Sequence, residues 1–270
     1  LRRLPYSPDV SLPEGTAQEI LEQAARTAGL SRIDHPWGPI ITATGKEAVM
    51  LTYYRNSVMH VLALPSLIAR FFRHSQTVNE VELIEGCVLL YPFVKNELFL
   101  RTKIADCAEA VKEQINNLVA LNLLSRHGDS GELSRASVGT EGYAVLTGLG
   151  RILRETFERY TITSLLLVQD ISAVAALRDD VEQNTIEMAQ RLAILSGREA
   201  PEYFDKNLFR GYIDTLIQQG LLLADEQEAG EFLRVDKRLE AFSQRWVALL
   251  GPDVQQSMQQ LIRKPVMREQ

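Results

Sequence analysis

Three rhythms of apolar and polar residues run along the chain. Residues 1 to 15 carry Pro5, Pro8 and Pro13. Each proline biases the residue before it away from helix, so the start reads as an extended arm that docks on another surface. From Thr16 to Ala28 the spacing turns helical: Ile20, Leu21 and Ala24 share a side, Glu19 and Glu22 sit near the start, and Gly29 is placed to end the helix in a left-handed cap. Between Arg32 and Thr44 the apolar residues Ile33, Trp37, Ile40 and Ile41 are broken by His35-Pro36 and Gly38-Pro39, a pattern that predicts a short hairpin.

The second rhythm starts after Gly45. Lys46 to Leu64 contains neither Gly nor Pro, and Val49, Met50, Tyr53, Tyr54, Val58, Met59, Val61 and Leu62 point in nearly every direction around a helix. A helix that is apolar all round is expected to be buried all round. Pro65 is expected to kink it or to begin a new helix running through Leu67, Ile68 and Phe71. Arg55 and Pro65 interrupt the apolar window Leu51 to Phe72 and leave only Asn56 to Ala69 free of fixed charge. That is short of the roughly 18 to 20 uninterrupted apolar residues of a spanning helix, which leaves contact with a membrane surface open. If Arg55, Asn56 and His60 are inside, each needs a hydrogen-bond partner, because an unpaired buried polar group costs about 1 to 3 kcal/mol. They lock the helix to its neighbours, or Arg55 meets a ligand directly.

The third rhythm occurs twice. INNLVALNLL at Ile115 to Leu124 precedes SRHGDSGELSRAS, and IDTLIQQGLLL at Ile213 to Leu223 precedes ADEQEAGEFLRVD. Both read as an amphipathic helix, a Leu-rich strand, a Gly-containing turn and a second short strand. Val111, Ile115, Leu118 and Val119 match Phe209, Ile213, Leu216 and Ile217 at a constant offset of 98. A further helix follows each copy, through Leu146, Leu149, Leu153 and Tyr160 in the first and Leu239, Phe242, Trp246 and Leu249 in the second. The pattern predicts a tandem pair of winged-helix-like units. The expected fold class is mainly α: a small N-terminal hairpin and central apolar helix over residues 1–74, then units at 75–165 and 166–270.

Charge bears on what such units contact. The net charge of -6 opposes general nucleic-acid binding, which needs clustered Lys and Arg. The helix that would enter a DNA groove carries Glu109, Lys112, Glu113, Asn116 and Asn117 in the first copy, and Asp205, Lys206, Arg210 and Asp214 in the second. This mixed charge favours interaction modules, with DNA binding as the alternative. At 46% hydrophobic and 24% charged, the chain is neither disordered nor collagen-like and can bury one large or two small cores. Cys87 and Cys107 form no CxxC and have no His nearby in sequence, so two reduced, buried thiols are expected. The opening LRRLPYSPDV has neither an initiator Met nor a signal-peptide pattern, and the chain is read as a piece of a longer protein.

Searches for chemistry end without a match. Gly45-Lys46 lacks the Gly five residues earlier that a P-loop needs, Gly148-Leu149-Gly150 lacks the third Gly of a dinucleotide fingerprint, and Gly128 to Gly131 is no nucleophile elbow. His35, His74 and His127 lie in polar or Pro-rich stretches and read as surface or loop residues. No metal site and no cofactor are expected.

Several segments together carry a family likeness: LPYSPDVSLPE near the start, MLTYYRNSVMHVLALPSLIA, LYPFVKNELFLR at Leu90 to Arg101, RYTITSLLL at Arg159 to Leu167, and AQRLAILSGREAPEYFDKNLF at Ala189 to Phe209. From Leu4 to about Phe209 the chain resembles the C-terminal region of the bacterial membrane-associated sn-glycerol-3-phosphate 1-acyltransferase. The last 60 or so residues match only in general character. The resemblance implies a parent enzyme that moves a fatty acyl group from acyl-CoA or acyl-ACP to the 1-hydroxyl of glycerol 3-phosphate, peripherally, at the cytoplasmic face of the bacterial inner membrane. Its catalytic signature is His, four residues, then Asp, in which the carboxylate orients an imidazole that deprotonates the hydroxyl. The residues five after each His here are Ile40, Pro65, Asn79 and Glu132, so the signature is not in this chain and no catalytic residue is carried onto it.

Three roles follow from the residues. Tyr53, Tyr54, Arg55, Asn56 and His60 are expected to contact the catalytic domain of the same enzyme. Ile68, Arg70, Phe71, Phe72 and Arg73, two Phe flanked by two Arg, are expected to lie on anionic lipid. The winged modules are expected to meet acyl-ACP or a regulatory protein, which for an acidic partner needs a local basic patch.

Overall fold

The computed structural model describes residues 13–171, 175–196 and 205–263. Most of the proline-rich arm therefore lies outside the described residues. Two compact units are present, Leu1–Val61 and Leu62–Gln270. The first boundary lies before the one expected after residue 74, and both repeats belong to the second unit.

In the first unit, helix α1 (Ala17–Thr27) begins in a capping box. The Thr16 hydroxyl accepts from the Glu19 backbone N–H at 3.2 Å, and the Glu19 carboxylate accepts from the Thr16 N–H at 2.6 Å. Two of the donors that a helix start leaves open are thereby satisfied. Strands β1 (Ser31–Ile33) and β2 (Ile40–Thr42) pair antiparallel with Arg32 opposite Ile41, and Trp37 is exposed in the loop between them. Helix α2 (Gly45–Phe71) starts in this unit. It runs through Pro65 as one helix, so of the two expectations the start of a new helix is corrected: the missing N–H removes one helical hydrogen bond, and the burial of the apolar residues after it compensates for that loss.

The second unit contains β3 (Thr77–Asn79), α3 (Glu80–Leu98), α4 (Cys107–Ala120), β4 (Leu124–His127), β5 (Glu132–Arg135), α5 (Glu141–Ile152) and α6 (Arg154–Ile171). After these come β6 (Ala176–Leu177), α7 (Arg178–Ser196), α8 (Lys206–Gln218), β7 (Leu222–Gln227), β8 (Gly230–Val235), α9 (Arg238–Ala248) and α10 (Pro252–Arg263). Mainly α, with small antiparallel sheets, is therefore the observed class. The sheets have strand orders β3-β5-β4 and β6-β8-β7, so the repeat is one of topology: strand, two helices, then a hairpin whose second strand pairs with the first strand. Val78 lies opposite Leu133, and Ala176 opposite Leu233.

The offset of 98 extends into parts that carry no visible repeat in the sequence. Buried Leu83, Cys87, Leu90 and Val94 on α3 correspond to buried Val181, Thr185, Met188 and Leu192 on α7. Helices α4 and α8 end alike. Asn122 (φ 57°) and Gly220 (φ 67°) take the left-handed conformation that Asn and Gly tolerate best. The next N–H, of Leu123 or Leu221, then reaches back to the Leu118 or Leu216 carbonyl at 2.9 Å, the C-cap that turns a helix into the following strand.

The two repeats share one aromatic core. Tyr160 of α6 stacks on Tyr212 of α8 with centroids 4.3 Å apart. Trp246 of α9 lies 5.0 Å from Tyr160 and 5.5 Å from Phe157, and Phe93 of α3 lies 5.0 Å from Phe242 of α9. Two of the buried tyrosines pair their hydroxyls: Tyr160 donates to the Phe93 carbonyl at 3.2 Å, and the Ser164 and Tyr212 hydroxyls share a 2.6 Å hydrogen bond. Arg159 of α6 is ion-paired with Glu97 of α3, whose carboxylate also accepts from Thr156 at 2.8 Å. RYTITSLLL and the Leu90 to Val94 part of LYPFVKNELFLR are thus core, which explains their low polarity without any catalytic demand.

Candidate functional site

Three places carry functional potential: the start of α2, its end, and a basic cavity. At the start, the expectation of all-round burial is corrected. Tyr53 is 66% exposed and Tyr54 53% exposed, and Val49, Met50 and Val58 are exposed with them. At 100° per residue these five side chains cover one half of the helix cylinder. The two rings meet edge to face with centroids 6.0 Å apart. His60 is exposed and Arg55 half-buried, while the Asn56 side chain lies outside the described residues. A cluster of this kind, rather than single scattered apolar residues, marks a contact surface.

At the other end of α2 the lipid-facing expectation fails. Ile68 is 0%, Arg70 2% and Phe72 2% exposed, while Phe71 and Arg73 are half-buried. The guanidinium of Arg70 donates to the Gly150 carbonyl at 3.2 Å and to the Leu249 carbonyl. These carbonyls belong to the last turn of α5 and the C-cap of α9, where helices leave acceptors unpaired. The imidazole of His74 donates from Nε2 to the next carbonyl, that of Leu250. The Arg70 guanidinium also sits 5.8 Å from the centre of the Phe157 ring, within cation–π range. Phe71 packs where α3 has no side chain: a Cβ on Gly86 would come within 2.7 Å of its ring. The pattern of two Phe flanked by two Arg suits a lipid surface in sequence, but here it is a helix end used to tie α5 and α9 together.

Beside this end lies a cavity of about 300 Å³ lined by four arginines, Arg70, Arg73, Arg135 and Arg151, with His74, Tyr143 and Thr147 and no acidic residue. Arg135, at the end of β5, lies 4.9 Å from the centre of the Tyr143 ring. Buried Nε atoms of Arg73 and Arg135 have no hydrogen-bond partner among the described residues, an arrangement that costs about 1 to 3 kcal/mol per orphaned donor. Sequence reasoning missed this site. Its arginines lie on α2 (Arg70), just beyond it (Arg73), on β5 (Arg135) and on α5 (Arg151), and no spacing announces that these meet.

Elsewhere the geometry speaks against the chemistry that was considered. His127 and Glu132 face each other across the β4–β5 hairpin, and His127 Nε2 is bonded to the Ser134 hydroxyl at 2.6 Å on an exposed surface. No helix among the described residues is long and apolar enough to cross a membrane. On α8, the basic groups Lys206 and Arg210 are both paired with the buried Glu182, at 3.5 Å and 3.2 Å. On α4, Lys112 is paired with Glu109 at 3.5 Å. Cations already committed to carboxylates are poorly placed to neutralise phosphates along a duplex.

The fold thus defines a mainly α-helical module with two small three-stranded antiparallel sheets in its second unit. It belongs to the family described as the glycerol-3-phosphate acyltransferase C-terminal region, whose model matches residues 1–225. The chain is 38% identical to the glycerol-3-phosphate acyltransferase of Pseudomonas putida KT2440, over 84% of this chain and 27% of that protein. Against the enzyme of the same name from Pseudomonas fluorescens Pf-5 the identity is 36%, with the same two coverages of 84% and 27%. The chain therefore spans only about a quarter, 27%, of the length of the curated relatives it matches.

Proposed function

We propose that this chain is a non-catalytic C-terminal part of an acyltransferase that moves a fatty acyl group from acyl-CoA or acyl-ACP to the sn-1 hydroxyl of glycerol 3-phosphate, and that it packs on the catalytic domain through the exposed start of α2. The observation that carries this reading is the cluster of Val49, Met50, Tyr53, Tyr54 and Val58, exposed together on a helix, in a chain that matches 27% of the length of an acyltransferase relative. Burying five such side chains at roughly 25 cal/mol per Å² supplies a substantial contact energy, and the Tyr hydroxyls tolerate a wet rim. Tyr53, Tyr54, Arg55, Asn56 and His60 form the contact, with the aromatic pair at its centre. The parent enzyme works peripherally at the cytoplasmic face of the bacterial inner membrane.

The test is Tyr53→Asp/Tyr54→Asp in the full-length enzyme. Both side chains are exposed in this chain, so the variant leaves the fold of the chain itself intact while placing two charges in the proposed contact. Acyl transfer to glycerol 3-phosphate is expected to fall at least about tenfold, the effect of about 1.4 kcal/mol, and limited proteolysis is expected to separate the two parts faster. Wild-type activity together with wild-type protease resistance would refute the contact.

A further inference from the structure

We infer that the arginine-lined cavity at the end of α2 is a binding site for a phosphate group, as a free phosphate or phosphate monoester or as the headgroup of an anionic lipid. The chain has 35 acidic and 29 basic residues, yet four of its arginines line one cavity of about 300 Å³ from which Asp and Glu are absent. Composition alone predicts the opposite sign. Arg73, Arg135 and Arg151 bring like charges to one lining, and a bound anion offsets their mutual repulsion.

The donors suit one class of anion. A guanidinium presents a planar fork of N–H groups that matches phosphate oxygens, and it holds its charge at every relevant pH. Arg73 and Arg135 each keep a buried Nε with no partner among the described residues, so neither guanidinium is fully satisfied by the protein around it. Tyr143 and Thr147 add hydroxyl donors to the lining. Arg70 has a different part: bonded to the carbonyls of Gly150 and Leu249, it fixes the helix end that carries Arg73. Arg151 is exposed on α5 and stands at the entrance, where a charged ligand arrives from solvent. The inference is independent of the proposed acyltransferase role, since it rests on the cavity alone.

Calorimetric titration of the full-length protein with inorganic phosphate, at ionic strength held constant with chloride, tests the soluble form of the ligand. Wild type is expected to show a saturable phosphate site that Arg135→Gln/Arg151→Gln weakens at least about tenfold for each guanidinium removed. Arg191→Gln, a change at an exposed residue away from the cavity lining, is expected to keep the site. Co-sedimentation with phosphatidylcholine vesicles containing phosphatidate tests the lipid form, with the same pair of variants. Loss of either response in the double variant but not in Arg191→Gln supports the site and identifies the source of the phosphate. If the double variant fails to melt cooperatively, the exposed single change Arg151→Gln is used in its place. Titrations and pelleting that do not differ between wild type and the cavity variant would overturn the inference.

Discussion

Replacing Arg70 by Met removes a buried guanidinium while keeping most of the side-chain volume, and so isolates what the charge does. In the native protein Arg70 donates to the carbonyls of Gly150 and Leu249 and is 2% exposed. Two hydrogen bonds from a charged donor contribute about 1.5 to 3 kcal/mol each, a gross loss of about 3 to 6 kcal/mol. Met is easier to bury than a guanidinium, which offsets part of this, and about 3 to 4 kcal/mol of net destabilisation remains. For a unit of about 150 to 250 residues, each kcal/mol lowers Tm by about 2 to 4 °C, so a fall of about 6 to 16 °C is expected. Arg70→Lys recovers little, because one ammonium on a flexible stem does not span carbonyls on two helices as a planar fork does. Arg73→Met, three residues on and half-buried, is the control, since Arg73 Nε has no hydrogen-bond partner to lose; its Tm is expected to stay within about 3 °C. The assay is thermal unfolding followed by far-UV circular dichroism. An Arg70→Met Tm within about 2 °C of wild type, or equal losses for Arg70→Met and Arg73→Met, would refute the reasoning that this end of α2 is a structural tie.

Two further outcomes are expected. Burial by itself raises the Glu182 carboxyl, but hydrogen bonds from Arg210 and Arg178 outweigh it and hold the group below the ordinary 4.5. Its contribution to stability is therefore full above about pH 4.5 and is lost as pH falls through the lower folded value; the Tm difference between wild type and Glu182→Gln should shrink as pH is lowered below about 4.5, and a gap that stays constant with pH would contradict the pairing. Burial also pushes the Cys107 thiol up to about 11 and Cys87 well above the ordinary 9.0. Cys107 then carries about a hundredfold less thiolate at pH 8 than an ordinary thiol, so iodoacetamide should label the native protein slowly and the unfolded protein readily, and equal rates would place the thiols at the surface.

The tandem repeat was legible as sequence because amphipathic helices and hairpins declare themselves through local spacing. Leu118 and Leu216 sit on their buried faces at the same offset as the Asn122 and Gly220 caps that follow. The first strand of each repeat was not legible: Thr77–Asn79 and Ala176–Leu177 are too short for alternation to register, and only pairing with Leu133 and Leu233 reveals them. The helix starting at Thr16 and the hairpin at Arg32 to Thr44 were local too, and both are present. By itself, then, the sequence determined the helical class, the repeat and the family, each a matter of residue type and near-neighbour spacing. The tertiary structure decided which side of each apolar stretch meets solvent, because burial depends on what packs across from it. Arg70 is the plainest case: its sequence neighbours suggest a membrane edge, but Gly150 and Leu249, distant along the chain, offer carbonyls that make it a core residue. The same long-range meeting of α2, β5 and α5 gathers four arginines around one cavity, a juxtaposition that no local pattern encodes.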